Sequence, residues 1–348
     1  MVASPTAYDF MDLLQKIKRP PWRTIVPGCG LLLLVIAGYL LWSPGLDVRD
    51  GRHDRIRNGI WISHGWFAAD EWFVRNKKST DEIARYRDRV RVRSLAELLR
   101  AHHITDVYPH FCPADERGRL PVADAQKIET FLDEFTGFRV MPWIGGPNGA
   151  QIRMNDKKWR TKFISSVLDL LNAHPRLTGV HINIEPLTSG DPNFLILLDE
   201  LRSALPKEKL ISIAAYPPPT RFQPYEDVHW SEDYFRQVSR RSDQMVVMMY
   251  DTALQKPKLY QYLMAHWTDE VLTWSENKPV LLGVPAYADE DVEYHDPKVE
   301  NLQNALLGIH RGLARRPLLA NYQGVAIYCE WEMDTNEWRY FEKHFLKP

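Results

Sequence analysis

The sequence predicts an α/β fold, a (β/α)8 TIM barrel preceded by one N-terminal transmembrane helix. Three observations carry this: short apolar runs alternate with helical patterns from about Asn58 to the end, the runs number eight, and an all-apolar stretch stands apart before them. Several runs are apolar over most of their length, as strands of a parallel sheet covered by helices must be. A doubly wound nucleotide-binding sheet would need a glycine-rich turn directly after the first strand, and none is there.

In chain order the strands are GIWISHGWF (Gly59–Phe67), TDVYPHF (Thr105–Phe111), FRVMPWIGG, LTGVHINIEP, LISIAAYPPP, QMVVMMYDT, PVLLGVPAY and QGVAIYCEWEMD. The helices between them are SLAELLRAHHI, VADAQKIETFLDEF (Val122–Phe135), KKWRTKFISSVLDLLNAH, NFLILLDELRSAL, SEDYFRQVSRR, LYQYLMAHWTDEVLTWS and VENLQNALLGIHRGLAR, and a short helix around Glu337–Phe345 closes the chain. Each helical segment repeats its apolar residues at three- and four-residue spacing.

The expected organisation is a tail over 1–24, a membrane anchor over 25–46, a linker over 47–57 and the barrel over 58–348. No charge falls between Thr24 and Leu46, and the core of that stretch is LLLLVIAGYLLW (Leu31–Trp42). At roughly 1.5 Å per residue it is long enough to span a bilayer. Lys16, Lys18, Arg19 and Arg23 precede it, as in a signal anchor, while Arg49, Arg52, Arg55 and Arg57 follow closely and nearly balance the count. The barrel is expected on the periplasmic or extracellular side of a single-pass anchor.

Composition narrows the rest. Acidic and basic residues nearly cancel, at net charge −1, which leaves no electrostatic footprint for nucleic acid. The three cysteines Cys29, Cys112 and Cys329 form no disulfide framework and have no metal-ligand spacing, so no cofactor or metal is expected. Twelve tryptophans and fifteen tyrosines exceed ordinary packing needs and suit a site that stacks on sugar rings.

A (β/α)8 barrel places its chemistry at the C-terminal ends of the strands. His64, His110, Asn183, Glu185, Tyr250, Asp251 and Glu330 gather there. Side chains alternate along a strand, so His181, Asn183 and Glu185 share one face, and Glu185 stands at the mouth. His181, deeper down, reads as a hydrogen-bonded core histidine.

These strand ends resemble those of the family-18 chitinases and related endo-β-N-acetylglucosaminidases. WIGG (Trp143–Gly146) is similar to the family's serine-x-glycine-glycine without the serine, and MMYD (Met248–Asp251) matches its Met-x-Tyr-Asp. LLGVPAY (Leu281–Tyr287) and GVAIYCEWEMD resemble its last two strands, with Tyr328 where a tryptophan usually floors the site. Strand four resembles its Asp-Gly-x-x-Asp-x-Asp-x-Glu run, with Gly179 and Glu185 kept and Thr178, His181 and Asn183 in place of the aspartates. The Asn-x-Glu variant is similar to that of the family-85 endo-β-N-acetylglucosaminidases.

The resemblance implies a glycosidase that cleaves β-linked N-acetylhexosamine polymers or glycans with retention, endo action being favoured. The substrate's own acetamido oxygen would act as nucleophile, an exception to the two-carboxylate scheme. Glu185 would be acid and then base, with Asn183 and Tyr250 positioning the acetamido group. Asp251, Tyr328, Trp331, Glu330, Trp143, His110 and Tyr287 are the further candidates for substrate contact. Tyr328 and Trp331 face opposite sides if the strand continues, so one of them would serve as floor. Expected partners are the polysaccharide or glycan, the membrane, and membrane-associated polysaccharide biosynthesis or export proteins. Two alternatives remain: a two-carboxylate retaining glycosidase with Glu330 as nucleophile, and a carbohydrate-binding protein without catalysis.

Overall fold

The computed structural model describes residues 22–221, 227–288 and 294–348, with the side chains of 22–28 and 30 outside that description. The chain divides into two compact units, Met1–Ser43 and Pro44–Pro348. In the first, helix α1 (Trp22–Leu41) runs 20 residues, and Leu31 to Leu34 are all exposed. Most of the basic tail expected over 1–24 lies outside the described residues. Among those that are described, no helix is long and apolar enough to cross a membrane.

The second unit begins before the first strand. Residues 47–57, read from the sequence as a linker, pack onto this unit. Val48, His53 and Asp54 are buried there, and Asp54 accepts hydrogen bonds from the backbone of Ile56 at 2.8 Å and the Asn58 amide at 3.2 Å.

The strands are β1 (Asn58–Ile62), β2 (Ile104–Pro109), β3 (Arg139–Val140), β4 (Trp143–Pro147), β5 (Gly179–Glu185), β6 (Leu210–Ala215), β7 (Gln244–Val247), β8 (Val280–Pro285) and β9 (Tyr322–Tyr328). All neighbours pair in parallel in the order β3-β2-β1-β9-β8-β7-β6-β5-β4. Only Met141 and Pro142 separate β3 from β4, and a parallel bridge joins His110, just past β2, to Trp143. The two short strands are thus halves of one stave. The sheet closes on itself with eight staves, as the strand count predicted.

The expected strand ends were too generous. β1 stops at Ile62, β7 at Val247 and β9 at Tyr328, so their polar termini belong to the loops over the mouth. Apolar residues continuing past the last ladder bond made these runs look longer than their pairing.

Outside the sheet run α2 (Glu71–Arg75), α3 (Thr80–Arg85), α4 (Arg89–Ala101), α5 (Ala125–Glu134), α6 (Lys157–Ala173), α7 (Pro192–Ala204), α8 (Glu232–Arg241), α9 (Pro257–Trp274), α10 (Leu302–Leu313) and α11 (Thr335–His344). Side-chain oxygens of Asp88, Asp124, Asp156, Asp191, Ser231, Asn301 and Asp334 accept from the first turns of their helices. This fixes where each loop ends and its helix starts.

The interior of the barrel is partly polar. Trp61 Nε1 donates to His181 Nε2 at 3.1 Å, which leaves His181 Nδ1–H to pair with Ser212 Oγ at 2.8 Å. Ser212 donates to Gln244 Oε1 at 2.7 Å, and Gln244 Nε2 donates to Asp106 at 2.6 Å. Arg139 grips the fully buried Asp106 with two bonds, at 2.7 and 2.6 Å. Burial holds the His181 pKa down to about 3, so the ring is neutral and structural. Asp106→Ala would leave a part-buried guanidinium and a buried amide without their acceptor. It is expected to lower stability by about 3–5 kcal/mol, the usual cost of breaking a buried pair, read from denaturant unfolding.

Candidate active site

Glu185 is the last residue of β5 and stands where two clefts meet. One, of about 510 Å³, is lined by Glu185, Tyr216, His229, Met248, Tyr250, Asp251 and Tyr294 among others. The second, of about 370 Å³, is lined by His64, Trp72, His110, Cys112, Trp143, Asn183 and Glu185 among others. Glu185 therefore belongs to both. The residue is exposed because the clefts open on it, yet protein crowds its carboxyl closely. That desolvation, with the charge of Asp251, pushes its pKa up to about 7 against a weaker pull downward from the hydrogen bond of Asn183.

Asn183 is buried two residues earlier on the same face, opposite Gly145 in the β4 ladder. Its side-chain Oδ1 is buried and has no hydrogen-bond partner. A buried unpaired acceptor costs about 1–3 kcal/mol, so it marks a place where a donor is wanted. The glycine pair of β4 makes this position possible. Gly145 has φ +121°, and a Cβ there would lie 2.0 Å from the Asn183 carbonyl oxygen. The second relative constraint is Gly179, whose Cβ would meet the Leu210 carbonyl at 2.0 Å and push β6 from β5.

Tyr250 and Asp251 follow β7. Tyr250 stacks on Tyr328, with ring centroids 5.4 Å apart and planes within 19°. Tyr328 is an aromatic hub: Trp61, Tyr287 and Trp331 meet it edge-on at 5.3–5.7 Å, and Trp143 does so at 6.2 Å. Asp251 has φ +62° and accepts from the Tyr287 hydroxyl. It caps no helix, since α9 starts behind Lys256 and Pro257. Tyr287 thus stands behind Asp251, its ring 3.9 Å from that of His295.

His110 and Trp143 line the second cleft together, rings 4.5 Å apart, with His64 against the other side of His110 at 3.5 Å. Burial and the neighbouring His64 hold the His110 pKa well below its ordinary value, so neither cleft gains a cation from it.

Glu330 and Trp331 sit elsewhere. They line a third cleft, of about 280 Å³, with Trp66, Arg85, Tyr86 and Arg91. Glu330 accepts from Trp66 Nε1 at 3.1 Å and from the Ser63 N–H at 3.4 Å. Glu330 borders neither cleft that Glu185 borders, so the geometry gives the two-carboxylate alternative no support. The alternation argument for Tyr328 and Trp331 fails too. β9 ends at Tyr328, and Trp331 lies in the turn beyond it with its ring 5.7 Å from Tyr328.

Counting back from Glu185 also corrects the strand-four comparison. The family's first aspartate and glycine fall on Leu177 and Thr178, one residue before Thr178 and Gly179. Only His181 and Asn183 keep the period of two, and both face inward.

Tyr216, His229, Cys112, His295 and Glu300 were not singled out from the sequence. Tyr216 had a signal, as the residue directly after β6. His295 and Glu300 had none: His295 lies in the connection after β8, and Glu300 reads as the start of the following helix, which begins only at Leu302.

No family model matches the chain, and no curated protein does at the level required. Solved structures do match in fold. The spore cortex-lytic enzyme SleL of Bacillus megaterium QM B1551 is 14% identical over 84% of this chain and 76% of its own, at TM-score 0.52. A chitinase from Chromobacterium violaceum ATCC 12472 is 12% identical over 82% and 98%, at 0.54. The chitinase RmChi1 of Rhizomucor miehei is 12% identical over 82% and 98%, at 0.52. The chain shares its fold with chitinases and with a cortex-lytic enzyme.

Proposed function

We propose that the chain is a retaining glycoside hydrolase acting on a β-linked polymer or glycan containing N-acetylhexosamine, with the substrate's acetamido group as nucleophile. The observation that carries this is the pairing of two neighbours on β5. Glu185 holds a proton to about pH 7, and Asn183 offers a buried acceptor with no partner. An acetamido N–H fits that acceptor, and the Tyr250 hydroxyl, in the adjoining cleft, fits the acetamido oxygen. The names of the matching structures, chitinase and cortex-lytic enzyme, agree with this substrate class.

In the first step the acetamido oxygen attacks the anomeric carbon while the glycosidic C–O bond breaks. The Glu185 proton passes to the leaving oxygen, and a bicyclic oxazolinium ion forms with its N–H retained against Asn183 Oδ1. In the second step the Glu185 carboxylate takes a proton from water. The resulting oxygen nucleophile opens the oxazolinium ring at the anomeric carbon and restores the acetamide, the protonated Glu185 and the original configuration. A thiazoline analogue of N-acetylglucosamine mimics the closed ring. It is expected to inhibit the protein and raise its melting temperature; a protein indifferent to it would remove the substrate-assisted reading.

The reading includes a single membrane anchor over 25–46 with the barrel outside the cytoplasm. The uncharged run from Thr24 to Leu46, behind a basic segment, supports it. A reporter fused after Pro348 is expected to be active only outside the cytoplasm; activity confined to the cytoplasm would reverse the orientation.

A further inference from the structure

Behind Asp251 lies a group of side chains that the proposed hydrolysis does not use. Asp251, His295 and Glu300 present three ligand atoms within 4.8 Å of one another. His295 is 5% exposed, and its Nδ1 has no hydrogen-bond partner. That nitrogen faces two carboxylates, at 3.4 Å from Asp251 Oδ1 and 3.9 Å from Glu300 Oε2. Neither contact has hydrogen-bond geometry. The other ring nitrogen, Nε2, lies 3.2 Å from the Tyr287 carbonyl oxygen, which can only accept. Nε2 therefore carries a hydrogen, and Nδ1 points between two carboxylates; burial disfavours the charged ring, but the two carboxylates hold its pKa above the ordinary value.

Two carboxylates this close repel unless positive charge lies between them, which either the protonated ring of His295 or a bound metal ion supplies. Glu300 is wholly buried, and among the described residues neither arginine nor lysine pairs with it or with Asp251. We propose that Asp251, His295 and Glu300 form a binding site for one divalent transition-metal ion of the Zn2+ or Mn2+ class. One imidazole nitrogen and two carboxylate oxygens suit such ions, and the nitrogen disfavours Ca2+ and Mg2+. The charge closes as well, a dication against two carboxylates. An ion about 2.0–2.2 Å from each ligand needs sub-ångström rotations of the side chains.

The surroundings are those of held ligands. The Thr252 backbone N–H, at 3.0 and 3.1 Å, and its hydroxyl, at 2.8 Å, orient the Glu300 carboxylate. The Tyr287 hydroxyl orients Asp251, and the Tyr287 carbonyl accepts from His295 Nε2 and orients the ring. Asp251 also lines the 510 Å³ cleft, so the ion would brace one wall of it, tying the segment after β7 to the segment at 295–300.

The test uses the full chain in detergent, stripped with chelator and titrated with ZnCl2 or MnCl2 by calorimetry, with Co2+ absorption as an independent spectroscopic readout. One equivalent should bind. His295→Gln and Glu300→Gln should abolish it, and Thr252→Ala should weaken it by about 10–100-fold, as removal of an orienting partner does. No binding by the parent up to about 1 mM metal would overturn the site, as would undiminished affinity in folded His295→Gln. A His295 ring protonated on both nitrogens at pH 7 in metal-free and metal-saturated protein alike, seen by NMR, would overturn it too. None of these readouts depends on hydrolysis, so they are separable from the glycosidase reading.

Discussion

Glu185→Gln is expected to keep the fold and the affinity for sugar while losing hydrolysis by about 10²–10⁴-fold, the worth of a positioned general acid. Glutamine is nearly the same shape and cannot donate the proton that the leaving oxygen needs. The pH dependence of the parent makes the assignment sharper. The active form in the first step is the protonated acid. Because burial raises the pKa of Glu185 to about 7 from an ordinary 4.5, that form persists to neutral pH and is lost above it. The rate should therefore fall as pH rises through about 7, and this limb should be absent from the residual activity of the variant. Turnover of a fluorogenic chito-oligosaccharide across pH 4–10 measures both. A variant that turns over like the parent would remove Glu185 from the chemistry.

Asn183 should show the second-largest effect. In Asn183→Ala the acetamido N–H loses its acceptor, and Glu185 loses the hydrogen bond that draws its pKa down. Cleavage of intact substrate should fall steeply, while a pre-formed oxazoline donor, whose ring is already closed, should recover part of the rate. Asn183→Asp is expected to stay active. A carboxylate is a stronger acceptor than an amide oxygen, by roughly a factor of two in hydrogen-bond strength, and it offsets the positive charge of the closing ring. The same charge sits beside Glu185 and should move the alkaline limb to higher pH. Equal rates for Asn183→Ala and the parent on intact substrate would reduce Asn183 to a residue that fills a strand end.

The barrel could be read from the sequence because each stave announces itself locally. A run such as VHINIE carries period two, and a helix such as VENLQNALLGIHRGL carries three- and four-residue spacing. Glu185, Asn183, Tyr250 and Asp251 were legible for the same reason, since a strand end in this fold points at the mouth. What lay outside this logic was hidden. Glu330 and Trp331 were counted as strand residues and fall in a turn, where alternation has no force, and the cleft they line is a separate one. Asp251, read as a strand end, lies beyond Val247 with φ +62° and has Tyr287 behind it. His295 reaches Asp251 through a loop, whose path sequence spacing does not constrain, and Glu300, read as helical, lies just before the helix starts at Leu302.

Glu185 on a ridge between two hollows has a consequence for what the protein makes. On the proposed mechanism, once the oxazolinium ring had formed on one side and the leaving chain had departed, the other hollow would be free to admit either water or a fresh sugar hydroxyl. The expected outcome is then a partition between shortening chains and rebuilding them. At low acceptor concentration products should be shorter than the starting oligomer, and at high concentration a fraction should be longer. On that reading the balance would be set by how well the hollow that does not hold the closed ring takes up a sugar in place of solvent. Narrowing that side would tilt the protein toward cutting, and adding aromatic surface there would tilt it toward joining.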